Sequence, residues 1–560
     1  MGARSRAGIA GVAGAVLAFG LAELAHGLSG AIPSVFVSLV QQVIEKTPGE
    51  LVTRGIELLG TADIPVLVTC MILGALVVAA ILGNIAVRSP ATAIAGVIIL
   101  AGVAVAAALA EPFVAAAPTV VIIAGALAIG SAVTEMLLRT AGLRSTKPVE
   151  PAGEDGGAFG IPPTMDVRSR EAYAEGGISV GRRSFLMLGG GALVAGLAAL
   201  GLGRLLSSGG AAAASTPKPL KFPAEPKKST DTGESEGGGG KPQPVEHQTL
   251  PKPDPSASLD VPGMPDLITP ASSFYLIDAA FTSPRVDVND WKLSVKGAVD
   301  NPVQFSYKDL MEMPTRESDI TLSCVSNTVG GGLVSNGRWT GVLLSDVLAE
   351  AGVTRDNISR ASRQLVGRSV DGWTSGFETK LALDGREALV AFGLNGSELP
   401  IKHGYPVRLV VPGIYGYVSA TKWLSEIELT NWNFDAYWIQ RTWSKEGPIK
   451  IQSRIDTVGA GETVSAGTVP IGGVAWAPHR GISKVEVSAD GGSSWNEARL
   501  ASQLSDDTWR QYVYDWHAKP GDHTLQVRAA DGEGQTQTQN EAPPHPSGAT
   551  GYHTVDVRVA

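Results

Sequence analysis

The stretch TLSCVSNTVGGGLVSNGRW, residues 321–339, runs from a strand-like lead-in through one of the chain's two cysteines into a polar, glycine-rich loop. A lone thiol there is either a small buried hydrophobe, the commonest state of a free cysteine, or a residue with chemistry to perform. What surrounds it decides. The other cysteine, Cys70, lies in an apolar run far away in sequence, so the pair gives no disulfide framework.

Outward from that loop the composition is uneven. The chain has 560 residues, 44% hydrophobic and 18% charged, with 68 glycines and a formal net charge of −9. Its length fits roughly three or four domains. The first two hundred or so residues are mostly Ala, Val, Leu, Ile and Gly, and the remainder reads as an ordinary soluble protein. No lysine- or arginine-rich block sits beside spaced aromatics, so nucleic acid is excluded as the expected partner.

Residues 1–206 are expected to form an all-α membrane domain of about five spans. Four apolar segments, near 8–27, 64–87, 91–110 and 116–138, and a fifth, FLMLGGGALVAGLAALGLGRLL at 185–206, reach the ~20 residues a crossing requires. Arg4, Arg6, Arg88, Arg139, Arg144, Lys147, Arg168, Arg170, Arg182 and Arg183 all fall on one side if the N-terminus is cytoplasmic. Everything after the fifth span is then extracytoplasmic. Residues 32–59 read as an amphipathic surface or re-entrant helix. GRRSFLM, ahead of the last span, resembles a twin-arginine export signal, the address of cargo that folds before crossing. His26 is the only histidine in a span, so a bis-histidine haem in the membrane is unsupported. Glu23 and His26 read as an interfacial polar contact, and the scarcity of mid-span charge favours an anchor over a transporter.

Residues 207–265, rich in Gly, Pro, Ser, Lys and Glu, are expected to be a flexible spacer. Beyond them WKLSVKG and VQFSYKDL alternate like strands, DITLSCVSN is a strand entering a loop, and GVLLSDVLAEAG has helical periodicity closed by Gly352. Residues 266–447 are thus a mixed α+β domain. From 448 to 560, TVPIGGVAWA, ISKVEVSADGGSSWNEARL, TWRQYVYDWH and GDHTLQVRAADGEGQ alternate with turns every 8–12 residues, an immunoglobulin-like sandwich of seven or so strands.

Four elements in order, SSFYLIDAA, TLSCVSN with GRWTGVLLSDVL, LNGSELPIKHGYPVRLVVPGIYG and SATKWLSEIEL, resemble the sulfite oxidase family of molybdopterin-dependent oxidoreductases. The resemblance covers about 260–560, and the sandwich fits the family's domain order. It implies a molybdenum–molybdopterin cofactor with Cys324 as the single protein thiolate on the metal, a soft ligand suited to a sulfur-rich centre. By resemblance Tyr275, Leu276, Asp371, His403, Arg408, Ala420, Thr421 and Lys422 contact the cofactor. Arg408 offers a bidentate fork to its phosphate and Lys422 a point charge. Asn327, Arg441 and Trp443 join Cys324 at the catalytic centre. A cofactor loaded in the cytoplasm would also account for Arg182 and Arg183.

Departures from the family bear on substrate. Where sulfite-oxidising relatives place an arginine five residues after the cysteine, this chain has Val329; where a second is expected, it has Ile277 and Asp278. Trp443 stands in place of the active-site tyrosine. A pocket with few cations implies a neutral small-molecule substrate such as a sulfoxide, with sulfite or another oxyanion as the alternative, and a tethered binding module with a vestigial site as a third reading. Neither a fused haem domain nor a CxxCH is visible, so the redox partner is expected to be separate, quinone-linked or a cytochrome. The sandwich leaves a homodimer open.

Overall fold

The computed structural model describes residues 2–29, 32–49, 51, 55, 63–111, 114–144, 167–213, 218–220, 247–280 and 283–560. They divide into two units, Met1–Ala214 and Ser215–Ala560.

The first unit is helical: α1 (Ala3–Leu28), α2 (Val35–Lys46), α3 (Asp63–Arg88), α4 (Pro90–Leu109), α5 (Ala116–Thr140) and α6 (Val167–Ala213). Among the described residues five stretches are long and apolar enough to cross a membrane: Ala3–Leu28, Val66–Arg88, Pro90–Leu109, Ala116–Thr140 and Arg183–Leu206. α1 is the hub, packed on α3, α5 and α6. Its glycines let backbones touch. A Cβ at Gly20 would lie 2.2 Å from the Gly196 carbonyl oxygen, and one at Gly27 would lie 2.3 Å from that of Gly203. Small residues take this role where lipid removes the hydrophobic drive between helices.

Part of the segment read as an amphipathic helix over 32–59 is α2, capped by Ser34, whose Oγ accepts from the Val37 N–H and donates to Glu23 Oε1 at 2.6 Å. His26 Nδ1 lies 2.7 Å from the Ile32 carbonyl oxygen, so Glu23 and His26 tie the end of α1 to the segment that starts α2. Residues 52–54 and 56–60 lie outside the described residues, as do Lys147 and the side chains of Arg168, Arg170 and Arg182. Arg6 donates to the Ala141 carbonyl and Arg144 to that of Ala86, each at 2.8 Å, which gathers these basic residues at one end of the bundle.

The second unit holds two mixed sheets and a sandwich. One sheet runs β1 (His247–Gln248), β4 (Thr315–Ser323), β5 (Val334–Leu343), β8 (Leu389–Leu394), β10 (Arg408–Val410), with β9 (Ser397–Glu398) on β8. The other runs β3 (Val303–Ser306), β2 (Lys292–Gly297), β11 (Leu424–Thr430), β6 (Gln364–Ser369), β7 (Thr374–Glu378). Leu293, Val342, Leu348, Phe392, Leu409 and Ile427 are buried in their common core. VQFSYKDL is not strand throughout. Ser306 and Asp309 form a capping box, and YKDL belongs to helix α7 (Tyr307–Met311). The helical period read from residue 341 begins only at α8 (Leu344–Glu350), because Gly341 to Leu343 are still paired to β8.

The sandwich has nine strands. β12 (Gln452–Ile455), β14 (Gly467–Trp476), β18 (Arg510–Ala518) and β17 (Arg499–Leu500) form one sheet. β13 (Thr463–Val464), β20 (His553–Val559), β19 (Gly521–Asp531), β15 (Ile482–Ser488) and β16 (Asn496–Glu497) form the other. β13, β16 and β17 are two residues each, too short to leave an alternation in sequence. Val474, Trp476 and Trp509 of the sandwich are buried in the catalytic core, so these two domains share packing.

The reading of 207–265 as one spacer is narrowed. α6 continues to Ala213, and Pro219 bridges Ser397 while the Glu398 N–H donates to the Lys218 carbonyl at 2.8 Å. From His247 the chain is strapped down: β1 pairs with β4, Arg338 donates to the Pro251 carbonyl at 2.8 Å, and the Leu259 N–H donates to Gln511 Oε1 at 2.6 Å. Such composition builds no core of its own, but backbone pairing along an existing edge needs none.

Candidate active site

β4 delivers Cys324 to the neck of a hairpin loop, since Ser323 is paired with Val334 and the Cys324 N–H donates to the Leu333 carbonyl at 2.9 Å. Inside the loop the Asn327 N–H donates to the Cys324 carbonyl at 3.1 Å, and Asn327 Oδ1 accepts from the Leu333 N–H at 2.8 Å. The Asn327 Nδ2 is buried without a hydrogen-bond partner. Cys324 is itself buried, and burial pushes its thiol up against the opposing pull of Ser326. Such a sulfur keeps its proton until a cation draws it off.

Two tyrosines feel the charge of that sulfur. Tyr275, held by its N–H to Ser335 Oγ at 3.0 Å, is pushed far up by burial, with Cys324 adding. Tyr415, buried, accepts from the Lys450 N–H at 3.3 Å and is pushed up to about 12, again by burial first. The sequence reading missed Tyr415. It sits within the quoted PGIYG, but nothing in its spacing distinguishes it from a core aromatic. Helix α9 (Gly416–Ser419) follows, and a Cβ at Gly416 would stand 3.7 Å from Tyr275 Oη.

Beside them lies a buried cationic cradle. Arg408, at the start of β10, is 5% exposed; its guanidinium meets the carbonyls of His403 (3.2 Å), Leu409 (3.3 Å) and Ala420 (3.5 Å) and covers the Trp339 ring at 5.0 Å. Among the described residues no carboxylate forms an ion pair with it. Burial lowers it to about 10. Lys422, lowered to about 8 by burial, pairs with Asp278 and donates to the Lys402 carbonyl at 3.1 Å. His403 is buried, its Nε2 3.0 Å from the Ala271 carbonyl oxygen, and burial with Arg408 nearby lowers it to about 4. Its Nε2 therefore carries the proton of a neutral ring. Thr421 is fully buried, bonded to Ser375 at 2.7 Å, and its carbonyl accepts from the Leu409 N–H.

The remaining expected residues scatter more. Asp371 accepts from the Trp373 N–H at 3.0 Å, and its charge reaches Lys422 and Asp278. Leu276 is 42% exposed. Arg441 donates to the Tyr437 carbonyl at 2.8 Å and stacks on the Tyr437 ring at 3.7 Å. Trp443 packs among Tyr417, Trp438 and His545. Those contacts place Arg441 and Trp443 in an aromatic cluster.

The arrangement fits a phosphate-bearing metal cofactor. A buried guanidinium without a carboxylate is costly unless an anion comes to it. Among the described residues no group of three or more His, Cys, Asp or Glu could hold a metal ion, so a metal taken by Cys324 must bring its other donors with it.

Residues 280–438 match the oxidoreductase molybdopterin binding domain, and residues 453–527 match the bacterial Ig domain. Mitochondrial sulfite oxidase of Rattus norvegicus is 30% identical over 303 residues, 46% of this chain and 55% of its own. Sulfite oxidase of Arabidopsis thaliana is 27% identical over 327 residues, 49% and 83% respectively. The solved structure of the sulfane dehydrogenase SoxCD from Paracoccus pantotrophus aligns with a TM-score of 0.46 at 23% identity, over 59% of this chain and 94% of that one. The chain spans about half the length of the mammalian relatives it matches. Fold and site together define a molybdopterin-binding oxidoreductase domain followed by an immunoglobulin-like domain. Through that region the chain is similar to sulfite oxidases, and it carries an oxidoreductase molybdopterin binding domain.

Proposed function

We propose that the chain is a membrane-anchored, extracytoplasmic molybdenum–molybdopterin oxidoreductase acting on a neutral oxo substrate such as a sulfoxide. The observation that carries the substrate class is Asn327 Nδ2, a buried, unpaired neutral donor one turn from Cys324. The cation bonded to this loop is already engaged: Arg454 pairs with Asp456 and donates to the Gly331 carbonyl. A sulfoxide oxygen matches a neutral N–H, whereas a sulfite-like anion would lack the charge-assisted bonds that each contribute about 1.5–3 kcal/mol.

In this reading the Cys324 thiolate holds the metal, Arg408 and Lys422 hold the cofactor's phosphate, and the neutral His403 ring, Thr421 and the Ala420 backbone line the pterin. Bound molybdenum supplies two-electron oxo-transfer chemistry. Tyr275 Oη and Tyr415 Oη keep their protons at neutral pH, so each acts as a hydrogen-bond donor beside the sulfur. Five apolar helices and the basic residues gathered at one end support anchoring with the N-terminus inside. Electrons come from a separate partner, quinone-linked or a cytochrome.

The test is a dye-linked assay of the detergent-solubilised chain against sulfoxides, N-oxides, sulfite and nitrate. Sulfoxide turnover with weak sulfite oxidation is expected. Val329→Arg should raise kcat/KM for sulfite about tenfold, worth ~1.4 kcal/mol, and lower it for sulfoxides. Efficient sulfite oxidation by the wild type with sulfoxides inert would overturn the substrate assignment in favour of the oxyanion reading, which the names of the similar sulfite oxidases support. Absence of molybdenum from purified protein would favour the vestigial binding module.

A further inference from the structure

The crest of the Cys324 loop, Gly330–Gly332, has no side chain with which to fix itself. Its neck is closed by the Cys324–Leu333 hydrogen bond, its interior by Asn327, and the Gly331 N–H donates to the Thr328 carbonyl at 2.9 Å, but none of these uses the Gly331 carbonyl. That carbonyl accepts from Arg454 Nη1 at 2.8 Å, and Arg454 belongs to β12 of the sandwich. The guanidinium is itself aimed, because its Nε donates to Asp456 Oδ1 at 2.6 Å. His553, the first residue of β20, lies over Gly330: a Cβ there would fall 2.1 Å from His553 Cδ2, and Gly330 takes a φ of +75°. The imidazole is oriented by the Ile455 N–H, which donates to its Nδ1 at 3.0 Å. A Cβ at Gly331 would fall 2.5 Å from Asn327 Oδ1. Two of the three glycines are therefore needed for close approach, one to the sandwich and one to Asn327.

We infer that Arg454 and His553 are positioning residues for the metal ligand: the sandwich grips the crest of the Cys324 loop and so sets where the sulfur stands. The chain of contacts is short. Arg454 fixes the Gly331 carbonyl, two residues on the Leu333 carbonyl receives the Cys324 N–H, and Leu333 N–H closes on Asn327. Docking of the sandwich and placement of the sulfur become one event, and the immunoglobulin-like domain acquires a role in the site in addition to packing. The inference rests on the reading of Cys324 as the metal ligand, but its test does not depend on activity.

The full chain is produced in cells that make no molybdopterin, and alkylation of Cys324 by iodoacetamide is followed by peptide-resolved mass spectrometry. Arg454→Ala should raise the rate about tenfold by freeing the crest, with Arg454→Lys restoring most of the protection through its remaining donor. Arg480→Ala serves as control. It cuts another contact of the sandwich, to Asp531 and the Ile449 carbonyl, neither of which belongs to the loop, and should leave the rate unchanged. A rate for Arg454→Ala within about twofold of wild type, or an equal rise in Arg480→Ala, would overturn the inference. If Arg454→Ala fails to accumulate, Arg454→Met keeps the aliphatic stem and carries the same two outcomes. Molybdenum content of wild type from cofactor-replete cells is measured alongside. Absent metal with the predicted alkylation pattern would sink the functional reading and leave the positioning role standing.

Discussion

His403 and His553 are both held near a pKa of about 4, against an ordinary 6.5, chiefly because burial disfavours their charged forms. Their folded values are depressed, so the unfolded chain binds more protons between those limits. Stability from these groups is full above about pH 6.5, declines as pH falls from there to about 4, and levels off below. Allowing for partial solvent access at His553, each histidine accounts for on the order of 1–3 kcal/mol of that decline. Thermal scans of the solubilised chain should show the apparent Tm dropping across this window. His553→Gln, which still offers an acceptor to the Ile455 N–H, should remove roughly half of the drop; an unaltered profile would mean that other groups govern acid lability. At this scale the sequence disclosed residue types better than surroundings. Cys324, Arg408, Lys422 and His403 were legible in the sequence because the resemblance singles them out, and the structure buries Cys324, Arg408 and His403. Tyr415, Arg454 and His553 were not, since each matters only through a partner far away along the chain. Arg441 and Trp443 were placed at the centre by register alone, and both pack in an aromatic cluster.

Among the elements, α6 makes the clearest case that position on a helix outweighs residue type. Gly203 and Gly201 are two apart, yet a Cβ at Gly203 would strike the Glu23 carbonyl at 2.4 Å while one at Gly201 meets nothing within 4 Å. Gly203→Leu should therefore force α6 off α1 at a cost of about 1–3 kcal/mol, and Gly201→Leu should be silent. Thermal unfolding in detergent, followed by loss of helical signal from the membrane unit, would check it; equal effects of the two substitutions would count against the close approach. Long periodic elements were readable from the chain: the five spans and the major sandwich strands lie where hydropathy and alternation put them. Boundaries set by competing local chemistry were not. The Ser306–Asp309 capping box turned YKDL to helix, and pairing with β8 kept Gly341 to Leu343 extended although their hydropathy suited a helix.

For the molecule as a whole, the proposed topology requires the catalytic half to cross the membrane. Replacing Arg182 and Arg183 together by lysine preserves charge, and with it the positive-inside bias, but not a twin-arginine address. The expected outcome is a catalytic domain shielded from added protease in spheroplasts; normal external cleavage would reduce the arginines to topological charge. Composition alone separated an apolar N-terminal unit from a soluble C-terminal one, whereas the strapping of 247–265 onto β4 and the sandwich left no trace in a segment made of spacer residues. The contact of α1 with α6 also bears on the order of assembly. Within the helical unit α1 is synthesised well before α6, yet Gly20 and Gly27 are shaped for Gly196 and Gly203. If α6 waits until the catalytic domain has folded in the cytoplasm, the earlier helices stand in the bilayer for that interval with a helix-sized slot open to lipid. Arrival of the last helix then closes the slot and reports that the cargo was competent. A chain whose cofactor domain fails to mature leaves the slot unfilled, and that vacancy is a mark by which membrane quality control could single it out.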